Sequence, residues 1–271
     1  MNNGLSLAAR RIALLIDADN ISAAWLPTIL AELARHGTPG IRRAYGDWTT
    51  PALKGWKDTL HEYAIRPVQQ FSYSKGKNAT DIALVIDAME LLYTQKIDAF
   101  GIVSSDADFT PLVMHLKAAG QDVFGFGERK TPEPFVNACT DFLYLESAEA
   151  HAPAPAPGSA GAAPPVVAAP PAKPKPARLL AQDAKLVNAL RGAVEASARE
   201  DGWALVSQAG SAAKRVATID PRNYGAKTFT ELFTRTGLFE LSHLPGGQPY
   251  VADKRNKGRA REPGAPPINP D

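Results

Sequence analysis

The stretch "AFGIVSSDADFTPLVMHLKAAGQDVFGFG", from Ala99 to Gly127, decides the fold of the first half of the chain. It opens with a continuous apolar run, passes through two aspartates, and continues with helically spaced apolar residues up to Gly120. A second apolar run, "DVFGFG", closes it. Short apolar runs without polar alternation are typical of strands buried on both faces. A helix between two such runs indicates a parallel β-α-β unit.

The same alternation extends outward from this unit in both directions. The runs "RIALLID" (Arg11–Asp17), "GIRRAYGDW" and "IRPVQQF" are typical of strands, and "DFLYLE" of an edge strand. The strongest predicted helix is "NATDIALVIDAMELLYTQ", where Ile82, Val85, Ile86, Met89 and Leu92 lie three or four residues apart. Repeated strand–helix alternation predicts a three-layer α/β fold with a parallel sheet between helices.

Composition divides the chain into two folded units. The segment from His151 to Ala177 is nearly all Ala, Pro and Gly, which predicts an extended, flexible linker. We therefore predict a first unit over residues 1–147, a linker over 148–177 and a second unit over 178–252. The polar, Pro- and Gly-rich residues 253–271 predict a disordered tail.

Charge and composition narrow the class of protein. Residues 1–150 carry 14 basic and 18 acidic side chains, whereas residues 178–271 carry 14 basic and 10 acidic ones. The basic second half is a weak candidate for nucleic-acid binding. The single cysteine, Cys139, excludes an intramolecular disulfide and a zinc cluster. The chain shows no apolar run of about 18 to 20 residues and no secretory signal, so we expect a cytoplasmic protein without a membrane span.

Several aspartates follow or precede predicted elements at one edge of the sheet. Asp17 ends the first strand, Asp106 and Asp108 follow the fourth, and Asp81 opens the long helix. Ligands bind at the carboxyl ends of parallel strands, so these carboxylates converge if strands one and four are neighbours. Carboxylates that crowd together repel one another unless a cation lies between them. Oxygen ligands suit Mg²⁺ and Mn²⁺ equally, and such ions support phosphodiester cleavage.

Each aspartate also has a structural interpretation. Asp108 can cap the helix that contains Pro111, and Asp81 can form a capping box with Asn78. Asp17 and Asp19 can close a turn. Other chemistries fit poorly, because the sequence lacks a P-loop and a dinucleotide fingerprint, and its five histidines show no ligand spacing. A Toprim-type site needs a glutamate after the first strand, where this chain has Asp17.

Three motifs in order, "LLIDADNI", "KGKNATDIALVIDAM" and "IVSSDADFTPLVMHLKAAGQDVFGFG", resemble the NYN domain family over about residues 11–146. This family comprises PIN-like nucleases and includes LabA-like proteins. The resemblance implies a PIN-like α/β/α fold and a metal-dependent ribonuclease that leaves 5′-phosphate and 3′-hydroxyl ends. It assigns metal binding to four acids and a catalytic role to the asparagine after strand one: Asp17, Asp81, Asp106, Asp108 and Asn20.

Further residues of these motifs are candidates for substrate binding. We expect Ser105, like Asn20, to hydrogen-bond to metal-bound water or phosphate, and Lys75 and Lys77 to attract the RNA backbone. Asp19 and Asp87 also fall within the motifs. Asp87 lies about one and a half helical turns beyond Asp81, which predicts that it faces the opposite side of the helix.

The second unit resembles a LOTUS (OST-HTH) domain, a winged helix-turn-helix module, over residues 178–252. The resemblance lies in "GWALVSQAGSAAKR", "DPRNYGAKTFTELF" and the short "LFEL…PYV" hairpin. We expect helices near 180–199, 205–217 and 226–235, followed by two short strands. Helix-turn-helix units contact nucleic acid through a helix and its flanking basic residues. The candidates for phosphate contact or base stacking are Lys214, Arg215, Arg222, Tyr224, Lys227 and Arg235.

These patterns predict a Mg²⁺- or Mn²⁺-dependent ribonuclease with a tethered LOTUS domain that binds RNA. LOTUS domains also bind proteins, so a protein is the second expected partner. The basic residues can equally be solvated surface positions, and Tyr224 can be a core residue. The alternative function is a non-catalytic RNA-binding adaptor or regulatory protein.

Overall fold

A computed structural model describes residues 10–71, 78–149, 177–243 and 247–265. The chain forms two compact units, Met1–Leu145 and Glu146–Asp271, and each is described by itself. Lys75, Lys77 and nearly all of the predicted linker lie outside the described residues.

The first unit is built on a six-stranded sheet in which every neighbouring pair is parallel. The strand order is β3-β2-β1-β4-β5-β6. Strands one and four are therefore neighbours, which is the condition for the aspartates after them to converge, and the last strand lies at an edge, as the sequence predicts. The strands are β1 (Arg11–Asp17), β2 (Thr38–Gly46), β3 (Arg66–Gln69), β4 (Ala99–Val103), β5 (Asp122–Gly127) and β6 (Asp141–Tyr144).

Helices flank this sheet and confirm the predicted PIN-like α/β architecture. Short 3-10 helices precede three of them, at Ala23–Trp25, Pro51–Trp56 and Ala107–Phe109. The α-helices of the first unit are α1 (Leu26–Leu33), α2 (Lys57–Glu62), α3 (Ala79–Thr94), α4 (Thr110–Ala118) and α5 (Glu133–Ala138), and α6 (Leu145–Glu149) begins at the last residue of this unit.

Strand β1 is the centre of the first unit, and all of its residues from Ile12 to Asp17 are buried. Ala13 and Leu15 belong to one apolar cluster with Leu84 of α3. This explains why β1 reads as an unbroken apolar run: it is a central strand without a solvent-facing side.

The buried face of α3 differs from the one that the apolar spacing suggests. Leu84, Ala88 and Leu91 are buried, whereas Ile82 and Ile86 are 58% and 62% exposed. The helix is apolar around most of its circumference, so the spacing predicts a helix correctly but does not identify the face that packs.

The second unit is a small helical module with a three-stranded antiparallel sheet in the order β7-β9-β8. It contains the three predicted helices and the predicted hairpin, and adds a first helix and a two-residue strand. A 3-10 helix covers Pro221–Tyr224. The elements are α7 (Ala177–Gln182), α8 (Ala184–Ser197), β7 (Ala204–Leu205), α9 (Val206–Ala217), α10 (Phe229–Thr236), β8 (Phe239–His243) and β9 (Pro249–Asp253).

Residues after β9 pack against this unit, in contrast to the predicted disordered tail. The buried indole of Trp203 donates to the Ala260 carbonyl at 2.9 Å. The Ala260 N–H donates to the Asp201 carbonyl at 2.8 Å, and the Gly264 N–H donates to Asp201 Oδ2 at 2.7 Å. The amino-acid composition of residues 253–271 does not predict this arrangement, because the arrangement depends on one large aromatic side chain, Trp203, that these residues bury. Among the described residues, no helix is long and apolar enough to span a bilayer.

Candidate metal centre

The predicted acidic residues meet at the carboxyl edge of the central strands. Asp17 is the last residue of β1, which pairs with β4 up to Ile16 opposite Val103. The chain leaves β4 through Ser104 and Ser105 and reaches Asp106. Because both strands run in the same direction, these residues emerge side by side.

The carboxylate of Asp17 has two hydrogen bonds to one oxygen and, within the described residues, none to the other. Its side chain is fully buried, and Oδ2 accepts hydrogen bonds from Asn20 Nδ2 and Ser104 Oγ, both at 2.8 Å. Oδ1 is also buried, and no group in the described parts of the chain donates to it. Burial raises the pKa of Asp17 above its ordinary value. A buried polar atom without a partner is costly, so this oxygen is suited to a cation.

The pKa of Asp81 is affected by the acids that lie near it. It lies in the first turn of α3 and is partly buried. Burial, followed by the charges of Asp17, Asp106, Asp108 and Asp19, raises the pKa of Asp81 to about 6. Each of the other three predicted acids is therefore close enough to act on Asp81, and so is Asp19.

Asp106 combines a place in this cluster with a capping role. Its Oδ1 accepts from the Asp108 N–H at 2.9 Å and caps the 3-10 helix that begins at Ala107. The cap is thus at Asp106 rather than Asp108. The capping box proposed for Asn78 and Asp81 does not form, because the Asn78 side chain makes no cap and instead donates to Asp108 Oδ2 at 3.2 Å.

The sequence assigned no role in the site to two residues of the cluster, Asp19 and Ser104. Asp19 Oδ2 accepts from Thr80 Oγ1 at 3.0 Å, which ties the loop after β1 to the first turn of α3. Its signal was the repeated acid in "DADN". Ser104 donates to Asp17, whereas the predicted Ser105 accepts from the Glu128 N–H at 2.9 Å, in the loop after β5. Two adjacent serines offer no sequence signal that distinguishes them.

Asp87 takes no part in this cluster. Its carboxylate accepts hydrogen bonds from Arg43 and from the Tyr45 hydroxyl, both on β2. Burial and the neighbouring Asp87 raise the pKa of Tyr45. The prediction that Asp87 faces away from Asp81 agrees with this arrangement, and its role is to fasten α3 to the sheet.

The donor set fits a hard divalent cation. Its members are carboxylates, the preferred ligands of Mg²⁺ and Mn²⁺. No group of three or more His, Cys, Asp or Glu side chains in the described segments is positioned to hold one ion by itself. Mg²⁺ commonly keeps several waters and takes one or two carboxylates plus substrate phosphate. An Asp17 oxygen without a hydrogen-bond donor in the described chain, with Asp19 and Asp81 near the same carboxylate, matches that pattern better than a closed protein cage.

The candidate RNA-contacting residues of the second unit fall into two groups. Arg222 pairs with buried Asp220 at 2.5 Å, and Arg235 donates to the carbonyls of Tyr224 and Gly225. Tyr224 packs partly buried against the core of the unit. These three side chains support the fold.

The remaining candidates lie at the surface. Lys214 and Arg215 lie in the last turn of α9, and Arg215 and Lys227 are exposed. Arg215 also lines a polar hollow of about 550 Å³ together with Ser207, Gln208 and Ser211. A cation beside several hydroxyl and amide groups is suited to a phosphate, so the hollow keeps Arg215 among the candidates for RNA contact.

Comparison with known proteins gives two matching family models. The NYN domain matches residues 11–146, and the OST-HTH/LOTUS domain matches residues 177–251. No functionally curated protein matches the chain. A crystal structure of a Vibrio parahaemolyticus protein of unknown function is 18% identical, covers 52% of this chain and 95% of its own, and has a TM-score of 0.43. The NYN match spans the residues that form the parallel sheet, and the chain belongs to the NYN domain family, with an OST-HTH/LOTUS domain following it.

Proposed function

We propose that the protein is a divalent-metal-dependent ribonuclease that hydrolyses RNA phosphodiester bonds. The observation that carries this proposal is the buried, unpartnered Oδ1 of Asp17 at the edge where Asp19, Asp81, Asp106 and Asp108 crowd together. Membership of the NYN family, a nuclease family, supports the same reaction class.

The residues of the cluster have separable roles in this proposal. Asp17 would bind the ion directly, and Ser104 and Asn20 would keep its carboxylate in one orientation through their hydrogen bonds to Oδ2. Asp81, Asp106 and Asp108 would hold the ion or its waters. When bound, Mg²⁺ or Mn²⁺ lowers the pKa of a coordinated water and offsets the charge that develops on the scissile phosphate.

The protein would contribute position and charge rather than a covalent intermediate. Asp17 ends β1, Asp81 lies in the first turn of α3, and Asp106 and Asp108 lie at the 3-10 helix after β4. Such elements hold a site more accurately than long loops. Attack of water on phosphorus with departure of the 3′-oxygen leaves 5′-phosphate and 3′-hydroxyl ends, the products that the family resemblance implies. Lys75 and Lys77 would attract the backbone, and both lie outside the described residues.

We assign RNA capture to the LOTUS domain. Its exposed basic side chains, Arg215 and Lys227, together with Lys214, are suited to phosphate contacts, which provide affinity without sequence preference. A protein partner for this domain is the second expectation. Either partner would bring substrate or regulation to a separate catalytic unit.

The test is cleavage of a generic single-stranded RNA by purified protein with Mn²⁺, Mg²⁺ or EDTA. We expect cleavage with either metal, none with EDTA, and 5′-phosphate ends that a 5′-phosphate-dependent exonuclease can degrade. Asp81→Asn should abolish cleavage, while Glu90→Gln, at an exposed position of the same helix, should preserve it. RNA binding without cleavage under any metal would instead favour the non-catalytic adaptor.

A further inference from the structure

A second concave feature of the first unit is an apolar groove of about 980 Å³. It lies between the 3-10 helix Pro51–Trp56, helix α2 and the edge strand β3. Two of its lining residues, Leu53 and Ile65, are almost fully buried, with 6% and 4% of their surface exposed. The apolar lining residues are Trp48, Leu53, Leu60, Ala64, Ile65 and Pro67.

Basic side chains line this groove, whereas the acidic side chains of the neighbouring helix do not. Lys54, Lys57 and His61 line it, together with Leu60. Asp58 and Glu62, the two acids of α2, are absent from the lining. Lining positions three or four residues apart share one face of a helix, so α2 presents its basic residues to the groove and its acids elsewhere. An apolar base with a cationic rim suits a ligand that is flat, apolar and attached to negative charge.

Trp48 is held in a fixed position at this groove. Its backbone N–H donates to Gln69 Oε1 and its indole N–H donates to the Val68 carbonyl, each at 3.0 Å. Its ring meets Trp56 edge to face at 6.2 Å, with an interplanar angle of 77°. An aromatic side chain whose polar atoms are already satisfied needs no rearrangement before stacking on a ligand, which lowers the entropic cost of binding.

The groove lies close to the acidic cluster at the end of β2. The N–H of Asp47, the residue before Trp48, lies 3.4 Å from Asp19 Oδ1. A Cβ added to Gly46 would lie 2.6 Å from Leu53 Cδ1 and 3.2 Å from Asp19 Oδ1. A single glycine thus separates a groove residue from an acid of the cluster, and only a residue without a side chain fits there. The two places are therefore close enough for one nucleic-acid strand to reach both.

We propose that this groove binds an unpaired nucleobase of the RNA strand that is cleaved at the acidic cluster. The base would lie against Trp48 and the apolar lining, with Lys54, Lys57 and His61 facing the adjoining phosphates. Stacking on aromatic side chains beside a cationic path is how proteins hold single strands without reading sequence. The inference rests on the proposed ribonuclease function and adds a preference for single-stranded over duplex substrate.

The binding test uses the full-length protein in EDTA, so that it does not depend on hydrolysis. A single-stranded RNA carrying 4-thiouridine is irradiated with the protein, and crosslinked peptides are identified by mass spectrometry. We expect crosslinks within residues 48–67, and their loss when the same RNA is annealed to its complement. Crosslinks confined to residues 178–251, or unaffected by annealing, would overturn the proposal.

Two variants test the groove against a matched control. Trp48→Ala should lower the yield of groove crosslinks by about fivefold or more, the loss expected for one stacked base. Lys57→Glu, an exposed change that leaves the fold intact, should raise KM for single-stranded RNA with little change in kcat. Lys96→Glu, also exposed but outside the groove, should behave like wild type.

The two proposals fail in different ways. A protein that crosslinks through residues 48–67 but never cleaves RNA would contradict the ribonuclease function and leave the nucleobase groove standing. A protein that cleaves RNA with unchanged KM in Lys57→Glu and Trp48→Ala would overturn the groove and leave the ribonuclease function standing.

Discussion

At the scale of single residues, the site depends on how one carboxylate is oriented. Asp17 is fully buried, and its two donors, Asn20 and Ser104, both bind the same oxygen. The other oxygen has no hydrogen-bond donor among the described residues, and we propose that it binds the metal ion. Ser104 also accepts from the Asp106 N–H at 3.1 Å, so one hydroxyl links the ends of β1 and β4.

Ser104→Ala should therefore reduce cleavage, while Ser105→Ala should not. The first change leaves Asp17 with one donor and the Asp106 N–H without its partner, at a cost of about 1–3 kcal/mol. The second disturbs only the bond to Glu128 in the loop after β5. Thermal melting and Mn²⁺-dependent cleavage of both variants check this expectation. Equal losses of activity in the two variants would contradict it.

Asp81 should make the stability of the metal-free protein depend on pH. Its pKa is raised from 3.8 to about 6, so the folded state holds the proton more tightly than the unfolded state. The resulting stabilisation is complete below the unfolded pKa and is lost as pH rises through about 6. Asp81→Asn removes this titration, so the variant should gain stability relative to wild type as the pH rises.

The measurement is urea unfolding in EDTA at about pH 5 and about pH 7.5, below and above the raised pKa. The difference between Asp81→Asn and wild type should be larger at the higher pH. Glu90→Gln, an exposed change on the same helix, should have the same free energy of unfolding as wild type at both pH values. Parallel behaviour of Asp81→Asn and wild type would show that the acids do not crowd Asp81 in solution.

The limits of sequence reasoning are clearest among these residues. The positions of Asp17, Asp81, Asp106 and Asp108 were predictable because each lies at or next to the end or the start of an element at the carboxyl edge of a parallel sheet. Ser104 was not predictable, because the choice between two adjacent serines depends on the pleat of β4. Their roles as metal ligands stay predictions until an ion is bound.

At the scale of elements, helix α3 shows what fixes a largely apolar helix in one orientation. Its spacing predicts a helix, but Ile82 and Ile86 are exposed while Leu84 and Ala88 pack. The ion pair of Asp87 with Arg43, supported by Tyr45, fastens one face of the helix to β2. We infer that this polar contact, together with the apolar packing, sets the orientation of the helix.

Asp87→Ala should destabilise the first unit by about 2–4 kcal/mol. The change leaves the partly buried Arg43 without its carboxylate partner and removes the hydrogen bonds that Arg43 and Tyr45 donate to a charged group. Glu90→Ala, one turn away on an exposed position, should change stability by less than about 0.5 kcal/mol. Chemical denaturation of both variants provides the comparison. An Asp87→Ala protein as stable as wild type would mean that apolar packing alone orients α3.

At the scale of the whole molecule, the chain divides into two units that each carry their own core. The flexible linker between them stays a prediction from its Ala/Pro composition. The second unit is larger than the family match, because residues up to Gly264 contact Asp201 and Trp203. The predicted boundary at residue 252 was placed at the end of the hairpin. The polar composition of the residues after it gave no indication that they pack against Trp203.

Ending the chain after Asp253 should therefore destabilise the second unit. The truncation removes the acceptor of the buried Trp203 indole and exposes its ring, a loss of about 2–4 kcal/mol. Ending the chain after Gly264 should leave the stability unchanged. Thermal melting followed by tryptophan fluorescence checks both, and a fully stable shorter chain would mean that residues 254–264 are dispensable.

The central claim is that the acids at the carboxyl edge of the sheet form a metal-dependent catalytic site. Asp106→Asn tests it most directly, since asparagine caps a helix about as well as aspartate but removes a charge from the cluster. RNA affinity is measured on the same samples, together with a Lys214→Ala/Arg215→Ala variant. That variant should bind RNA more weakly and with less salt dependence, with its catalytic site intact.

The deciding measurement is Mn²⁺-dependent cleavage of single-stranded RNA by wild type and Asp106→Asn at matched stability. We predict that Asp106→Asn keeps its RNA affinity and its stability within about 0.5 kcal/mol, while its cleavage rate falls at least about 100-fold. Cleavage by Asp106→Asn at the wild-type rate would contradict the account and reduce Asp106 to a helix cap.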